Sequence, residues 1–210
     1  LSPSSAASDV YKRQFAYWPG NRDADLWVTN YIGQFLISAK ENGYYVPEDM
    51  YSRWLDFSKK QSKIAGADLD RKAYTLYLLA SAGSPEISEM NLIYENYMGS
   101  LSITSKWYME AAYKLIGKDK IAVDIANSLP ITVPEYDHDY YRYSYGSNLR
   151  DKAIILGAYY KVYGKIEGKL YNDILQALQS QSWLSTQSTG YSLMTIAEMV
   201  KSGAKEEVSG

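Results

Sequence analysis

The chain has 210 residues, 46% of them hydrophobic, with 22 basic and 24 acidic side chains and a formal charge of −2. That is one domain's worth of chain, enough for a sizeable core, and its interspersed, nearly balanced charge excludes the clustered basic footprint of a nucleic-acid binder. No apolar run approaches the ~20 residues of a membrane span, and the absence of cysteine excludes a disulfide framework, a thiolate zinc site and a cysteine nucleophile within these residues.

The first fourteen residues, Leu1 to Gln14, show neither helical nor strand period. The run Asp9-Val10-Tyr11-Lys12-Arg13-Gln14 reads as a translated sequencing-library adaptor, with a flexible tail as the alternative. They are set aside from fold reasoning. On this reading, sequence upstream of Phe15 is missing, and any targeting segment would lie there. From there the pattern is helical almost throughout. A first helix runs from Asp25 to Asn42 and stops at Gly43. Pro47 opens a second in the favoured first-turn position, to about Ile64. A third spans Asp68 to Ala82, ended by Gly83 and Pro85. A fourth runs from Ser88 to Met98, a fifth from Ser102 to just before Gly117, and a sixth from Lys118 to Ser128. After an irregular tyrosine-rich stretch, a seventh spans Asn148 to Tyr163, an eighth Gly168 to Gln181, and a ninth Thr186 to about Val200. The last residues, 201–210, form a polar tail or linker without a folded element.

These helices alternate in character. The first carries two apolar stripes, Val28/Ile32/Phe35/Ala39 and Leu26/Gly33/Leu36/Ile37. The third and seventh are apolar nearly all round. The second has one stripe (Met50, Trp54, Phe57), as do the sixth (Ile121, Ala122, Ile125, Leu129) and the eighth (Leu170, Ile174, Leu178). A helix apolar on most sides is buried, and one with a single stripe lies on the outside. Short connections make successive helices antiparallel. Alternating inner and outer hairpins predict an all-α fold, an α/α toroid, or a superhelical array where the series does not close. A complete toroid of six hairpins needs twelve helices, so this one is incomplete on its N-terminal side. The 22 tyrosines suit places half buried and half wet, or fill a helical core.

Four stretches stand out: Leu26-Trp27-Val28-Thr29-Asn30-Tyr31-Ile32-Gly33, Arg71-Lys72-Ala73-Tyr74-Thr75-Leu76-Tyr77, Tyr145-Gly146-Ser147-Asn148-Leu149-Arg150-Asp151, and Trp183-Leu184-Ser185-Thr186-Gln187-Ser188-Thr189-Gly190-Tyr191-Ser192-Leu193. In that order the chain resembles the thioester-containing domain of bacterial alpha-2-macroglobulins, over residues 15–200. The resemblance implies a non-catalytic part of a large protease-trapping inhibitor of the cell envelope, periplasmic or anchored at the outer membrane. Its implied partners are target proteases, met through the full-length protein, and neighbouring domains of the same chain. No cofactor is implied. The family's reactive centre is a thioester between Cys and Gln in a Cys-x-Glu-Gln motif. With no cysteine here, that motif is either upstream or absent from the lineage. The His that redirects the acyl group in the complement branch is also absent before the third helix, where Gly66-Ala67-Asp68-Leu69 stands.

Read as residues alone, the candidate sites are modest. Ser185 or Thr186 caps the ninth helix, which makes Gln187 part of a capped helix start. Asn148 caps the seventh, with Asp151 suiting the helix dipole. Arg150 is expected to pair with a carboxylate from another inner helix, such as Asp25 or Asp68. Tyr136-Asp137-His138-Asp139-Tyr140-Tyr141-Arg142-Tyr143 holds the one histidine. Residues adjacent in an extended segment face opposite ways, so its two Asp and His138 do not converge without a sharp turn. Tyr136, Asp137, His138, Asp139, Tyr141 and Tyr143 therefore read as a structural loop that packs onto the toroid rim, with contact to a neighbouring domain as the functional alternative, and no metal site is expected. Two alternatives remain. A toroid that cleaves polysaccharides would need a matched pair of carboxyls, and a helical scaffold would bind a protein partner.

Overall fold

The computed structural model describes residues 26–133, 146–201, 203 and 208–209. Among these residues the fold is all-α, built from nine α-helices: α1 (Leu26–Glu41), α2 (Glu48–Ser62), α3 (Leu69–Ser81), α4 (Ile87–Asn96), α5 (Ile103–Leu115), α6 (Asp119–Asn127), α7 (Asn148–Tyr163), α8 (Gly168–Gln179) and α9 (Thr186–Lys201). A single 3-10 turn, Met98–Ser100, follows α4. The chain divides into two compact units, the first up to Leu101 and the second from Ser102. The Tyr136–Tyr143 stretch and Asp25 lie outside the described residues.

Within each unit the inner–outer alternation holds. Helix α3 buries residues 72 to 76 and 78 to 80, and α5 buries Thr104, Ser105 and every residue from Trp107 to Tyr113. The outer helices bury one stripe each: Tyr51, Trp54, Ser58 and Ser62 on α2, and Gly168, Leu170 and Ile174 on α8. In the first unit α1 and α2 both pack on α3; in the second, α7 packs on α5, α6, α8 and α9. Two stripes differ from expectation. On α2 the buried positions sit one residue later, so Tyr51 and Ser58 replace Met50 and Phe57 beside Trp54. On α1 the Val28/Ile32/Phe35/Ala39 stripe is not the buried face: Phe35 is 66% exposed, and Trp27, Asn30, Gly33, Leu36 and Ile37 point inward.

Local chemistry sets the ends. Pro47 stands one place earlier than expected, as the residue before α2, and its carbonyl accepts from both Met50 and Tyr51 N–H at 3.1 Å. Asp68 caps α3 by accepting the Arg71 N–H at 2.9 Å. Glu167 does the same for α8 through Leu170 N–H at 2.6 Å. Gly164 ends α7 in the left-handed region, with φ 63°, where a Cβ would be strained. The tail, expected to carry no folded element, supplies one: Val208–Ser209 pairs in parallel with Ile166–Glu167 as a two-residue bridge. Ile166 is buried there, and its branched side chain suits a pleated position.

Candidate functional site

The four stretches singled out in the sequence meet in pairs, each pair forming a polar seam between two inner helices. The first seam joins α1 to α3. The Asn30 amide donates to Thr75 Oγ1 at 3.0 Å, and the Thr75 hydroxyl also reaches the Arg71 carbonyl at 2.9 Å. One turn along, the Tyr74 hydroxyl donates to Gln34 Oε1 at 2.5 Å, and the Trp27 and Tyr74 rings lie 5.3 Å apart. Asn30 and Thr75 are fully buried, so each supplies the hydrogen bond that makes the other's burial tolerable. Behind this seam the Trp54 indole of α2 sits against Gly33. A Cβ at Gly33 would stand 2.2 Å from the indole nitrogen, so glycine lets the two helices approach.

The second seam joins the starts of α7 and α9. Ser147, not Asn148, caps α7: its hydroxyl accepts the Arg150 N–H at 3.1 Å, and Asn148 is the first helical residue. Both residue types cap well, and the backbone chooses Ser147, which is extended at φ −161°. Ser185 stands one residue before α9 and accepts the Ser188 N–H at 3.1 Å, with Thr186 inside the helix. The Ser188 hydroxyl bridges the two caps, 2.6 Å from Ser147 Oγ and 2.8 Å from Ser185 Oγ. Beside them the Arg150 guanidinium holds Asp151 Oδ1 at 2.9 Å and reaches Gln187 Oε1 at 3.5 Å. Arg150 is 5% exposed and Asp151 1%. Burial disfavours the guanidinium charge, but Asp151, then Tyr191 and Tyr108, outweigh it and raise the Arg150 pKa. Gly146 makes room for the guanidinium, since a Cβ there would lie 2.4 Å from its central carbon. Lower in the seam, Thr195 donates to the Ala153 carbonyl at 3.1 Å.

Arg150 therefore takes its carboxylate from its own helix, in place of the Asp25 or Asp68 expected from sequence, and Asp68 serves as a helix cap. Gln187 joins the seam as an acceptor. Ser147, Ser188 and Gly146 were missed as site residues. The three-residue spacing of Ser185 and Ser188 was the available signal for Ser188, while Ser147 was hidden by Asn148 beside it.

The seams hold groups together and present little chemistry. A serine nucleophile needs a base within reach, whereas the Ser147 and Ser185 hydroxyls cap helices and the Ser188 hydroxyl bridges them. The two buried acids among the described residues of the second unit keep separate company: Asp151 pairs with Arg150, and Glu110 feels Lys114 and Lys161. Among the described residues no group of three or more His, Asp or Glu side chains is placed to hold a metal ion, and no helix is long and apolar enough to cross a membrane.

No family model matches the chain. It is 27% identical over 190 residues to the alpha-2-macroglobulin of Escherichia coli (strain K12), which covers 83% of this chain and 11% of that protein. It is 25% identical over 217 residues to the alpha-2-macroglobulin of Xylella fastidiosa, covering 93% of this chain and 13% of that protein. In fold it matches the native conformation of E. coli alpha-2-macroglobulin with a TM-score of 0.74 at 23% identity, over 89% of this chain and 13% of the other. The chain thus spans about a tenth of the length of the curated relatives it matches. The similarity falls on one segment of those proteins.

Proposed function

We propose that this chain is a non-catalytic wall segment of a bacterial protease-trapping inhibitor. The observation that carries this reading is the likeness to E. coli alpha-2-macroglobulin over 190 residues and 83% of the chain. Solved relatives include E. coli alpha-2-macroglobulin activated by trypsin and a Salmonella alpha-2-macroglobulin reacted with methylamine. A thioester needs a cysteine sulfur, and these 210 residues hold none; any covalent capture must draw its sulfur from elsewhere in the full-length protein. What the chain contributes instead is rigidity. The buried polar side chains of the seams, Asn30 with Thr75 and Arg150 with Asp151, are committed to one another, as a structural wall requires. By the same likeness we assign the full-length protein to the bacterial cell envelope, with target proteases as its partners, and residues 15–200 to the family's thioester-containing domain.

The test uses the full-length protein incubated with trypsin. Trapped trypsin still cleaves a small peptide substrate but loses activity on a large protein substrate. Trypsin that stays fully active on the large substrate overturns the proposal. Pretreatment with methylamine separates the two forms of trap: retained trapping marks a non-covalent wall, and lost trapping marks a thioester supplied by another part of the protein.

A further inference from the structure

Helix α1 carries no charged side chain from Leu26 to Ala39; Lys40, in its last turn, is the first. One side is committed inward: Trp27 meets Tyr74 and Asn30 meets Thr75 on α3, and Gly33 meets Trp54 on α2. The other side is the Val28/Ile32/Phe35/Ala39 stripe. Phe35, in its middle, is 66% exposed, and the other three are half-buried. A helix that ends at water turns charge outward, as α2 does with Glu48, Asp49, Asp56 and Lys60, all exposed. An inner helix with company on both sides is different again. In the second unit α7 lies between α5 and α9 and buries Arg150, Asp151, residues 153–156 and Ala158. The last inner helix, α9, shares the trait of α1: it is uncharged from Thr186 to Ala197, and Leu193 and Val200 are exposed.

We propose that the Val28/Ile32/Phe35/Ala39 face of α1 is the docking surface for a further inner helix of the same full-length protein, the one preceding α1, which lies beside α1 as α5 lies beside α7. The side of α1 toward the helices that follow is already filled by α2 and α3. In a run of antiparallel hairpins, neighbours in sequence are neighbours in space, so the open side belongs to the preceding hairpin. The relatives leave room for it, since the chain covers only 11% and 13% of their length. An incomplete ring has open edges; the α1 face fixes which residues meet the next helix and what that helix must offer. The surface has no charge and one projecting ring. The arriving helix is therefore uncharged where it meets α1, with small side chains that leave a recess for Phe35, as close packing demands. This rests on the proposed reading only in taking the chain as part of such a longer protein, and it does not depend on protease trapping.

The test places a photo-cross-linking benzophenone amino acid at position 35 of the full-length protein. Successive inner helices of this chain begin at Leu26, Leu69, Ile103, Asn148 and Thr186, so the cross-link should fall in a helix that starts about 40 residues before α1, the span of a helical hairpin with its loops. A cross-link to a second molecule, to a distant part of the protein or to residues 1–25, or no cross-link at all, overturns the proposal. Hydroxyl-radical labelling needs no substitution and gives a second readout. Phe35 should take up label in the 210-residue chain and several-fold less in the full-length protein, while Trp54, 2% exposed, stays low in both. Equal labelling of Phe35 in the two overturns the docking. Trypsin trapping enters neither readout. A full-length protein that fails to trap but gives the upstream cross-link loses the wall reading and keeps this one; one that traps without that cross-link loses this inference alone.

Discussion

Replacing Arg150 by Met is the sharpest test of the α7–α9 seam. The substitution keeps the length of the stem and removes the charge. Asp151 is then left 1% exposed with its ion-pair partner gone. Breaking a buried pair from one side typically costs about 3–5 kcal/mol, because the remaining charge has lost both water and partner. Against a total stability on the order of 10 kcal/mol, that is a large fraction. The double variant Arg150→Met/Asp151→Leu removes both charges and should return to within about 1–2 kcal/mol of the parent, since apolar replacement of a buried pair is often neutral. The Lys161–Glu198 pair gives the contrast: its side chains are 21% and 47% exposed, so Glu198→Gln should cost less than about 1 kcal/mol. Urea unfolding gives the magnitudes, and amide hydrogen exchange gives their location. Protection should fall along α7 and α9 and persist along α1 and α3. The reasoning is refuted if Arg150→Met alone costs under about 1 kcal/mol, or if the double variant is as damaged as the single.

Three further outcomes follow from particular contacts. Gly33→Ala should destabilise by about 1–3 kcal/mol, because the added Cβ meets the rigid indole of Trp54 at 2.2 Å; a thermal melt showing the ~1 kcal/mol gain expected of an open helical glycine contradicts this. Ser147→Ala should cost about 1 kcal/mol and Asn148→Ala much less, since only Ser147 caps α7; equal losses in denaturant would return the cap to Asn148. Glu110→Gln should flatten the alkaline side of the stability profile. With a folded pKa of about 9 against an ordinary 4.5, folding retains the proton, so this group's stability is full below pH 4.5 and falls by about 1.4 kcal/mol per pH unit up to about 9. The variant should therefore gain on the parent by roughly 3 kcal/mol between acid and pH 7, and parallel Tm profiles would rule the effect out.

Helix count and the alternation of inner and outer helices were legible because burial repeats with a helical period, and that period is visible in the residues themselves. Phe35 marks where this stops. Its stripe on α1 has the right spacing, but which of two apolar faces turns inward depends on what α2 and α3 offer, and Trp54 against Gly33 with Asn30 against Thr75 selects the other face. Arg150 marks a second limit. Its partner is the adjacent residue, a pairing that a helix normally points apart, and only the shared burial of both side chains brings Asp151 Oδ1 to 2.9 Å. Glu110 could have been noticed: an acid in the run Trp107-Tyr108-Met109-Glu110-Ala111-Ala112-Tyr113 has no apolar company it can use. What the residues could not show is that both cations near it are already engaged elsewhere.

The placement of the polar residues bears on the wall reading. A stack of helices packed only through Leu, Ile and Ala can slide by a turn at small cost, because apolar contacts are non-directional. Each seam here adds directional pairs that fit in one register alone: Asn30 with Thr75 and Gln34 with Tyr74 between α1 and α3, and Ser147 with Ser188 and Arg150 with Gln187 between α7 and α9. Slipping either pair by one turn would bury these groups without partners, at about 1–3 kcal/mol for each. The stretches that carry the family resemblance are thus the ones that lock neighbouring inner helices together. Their role is accounted for by holding shape, as the proposed wall reading requires.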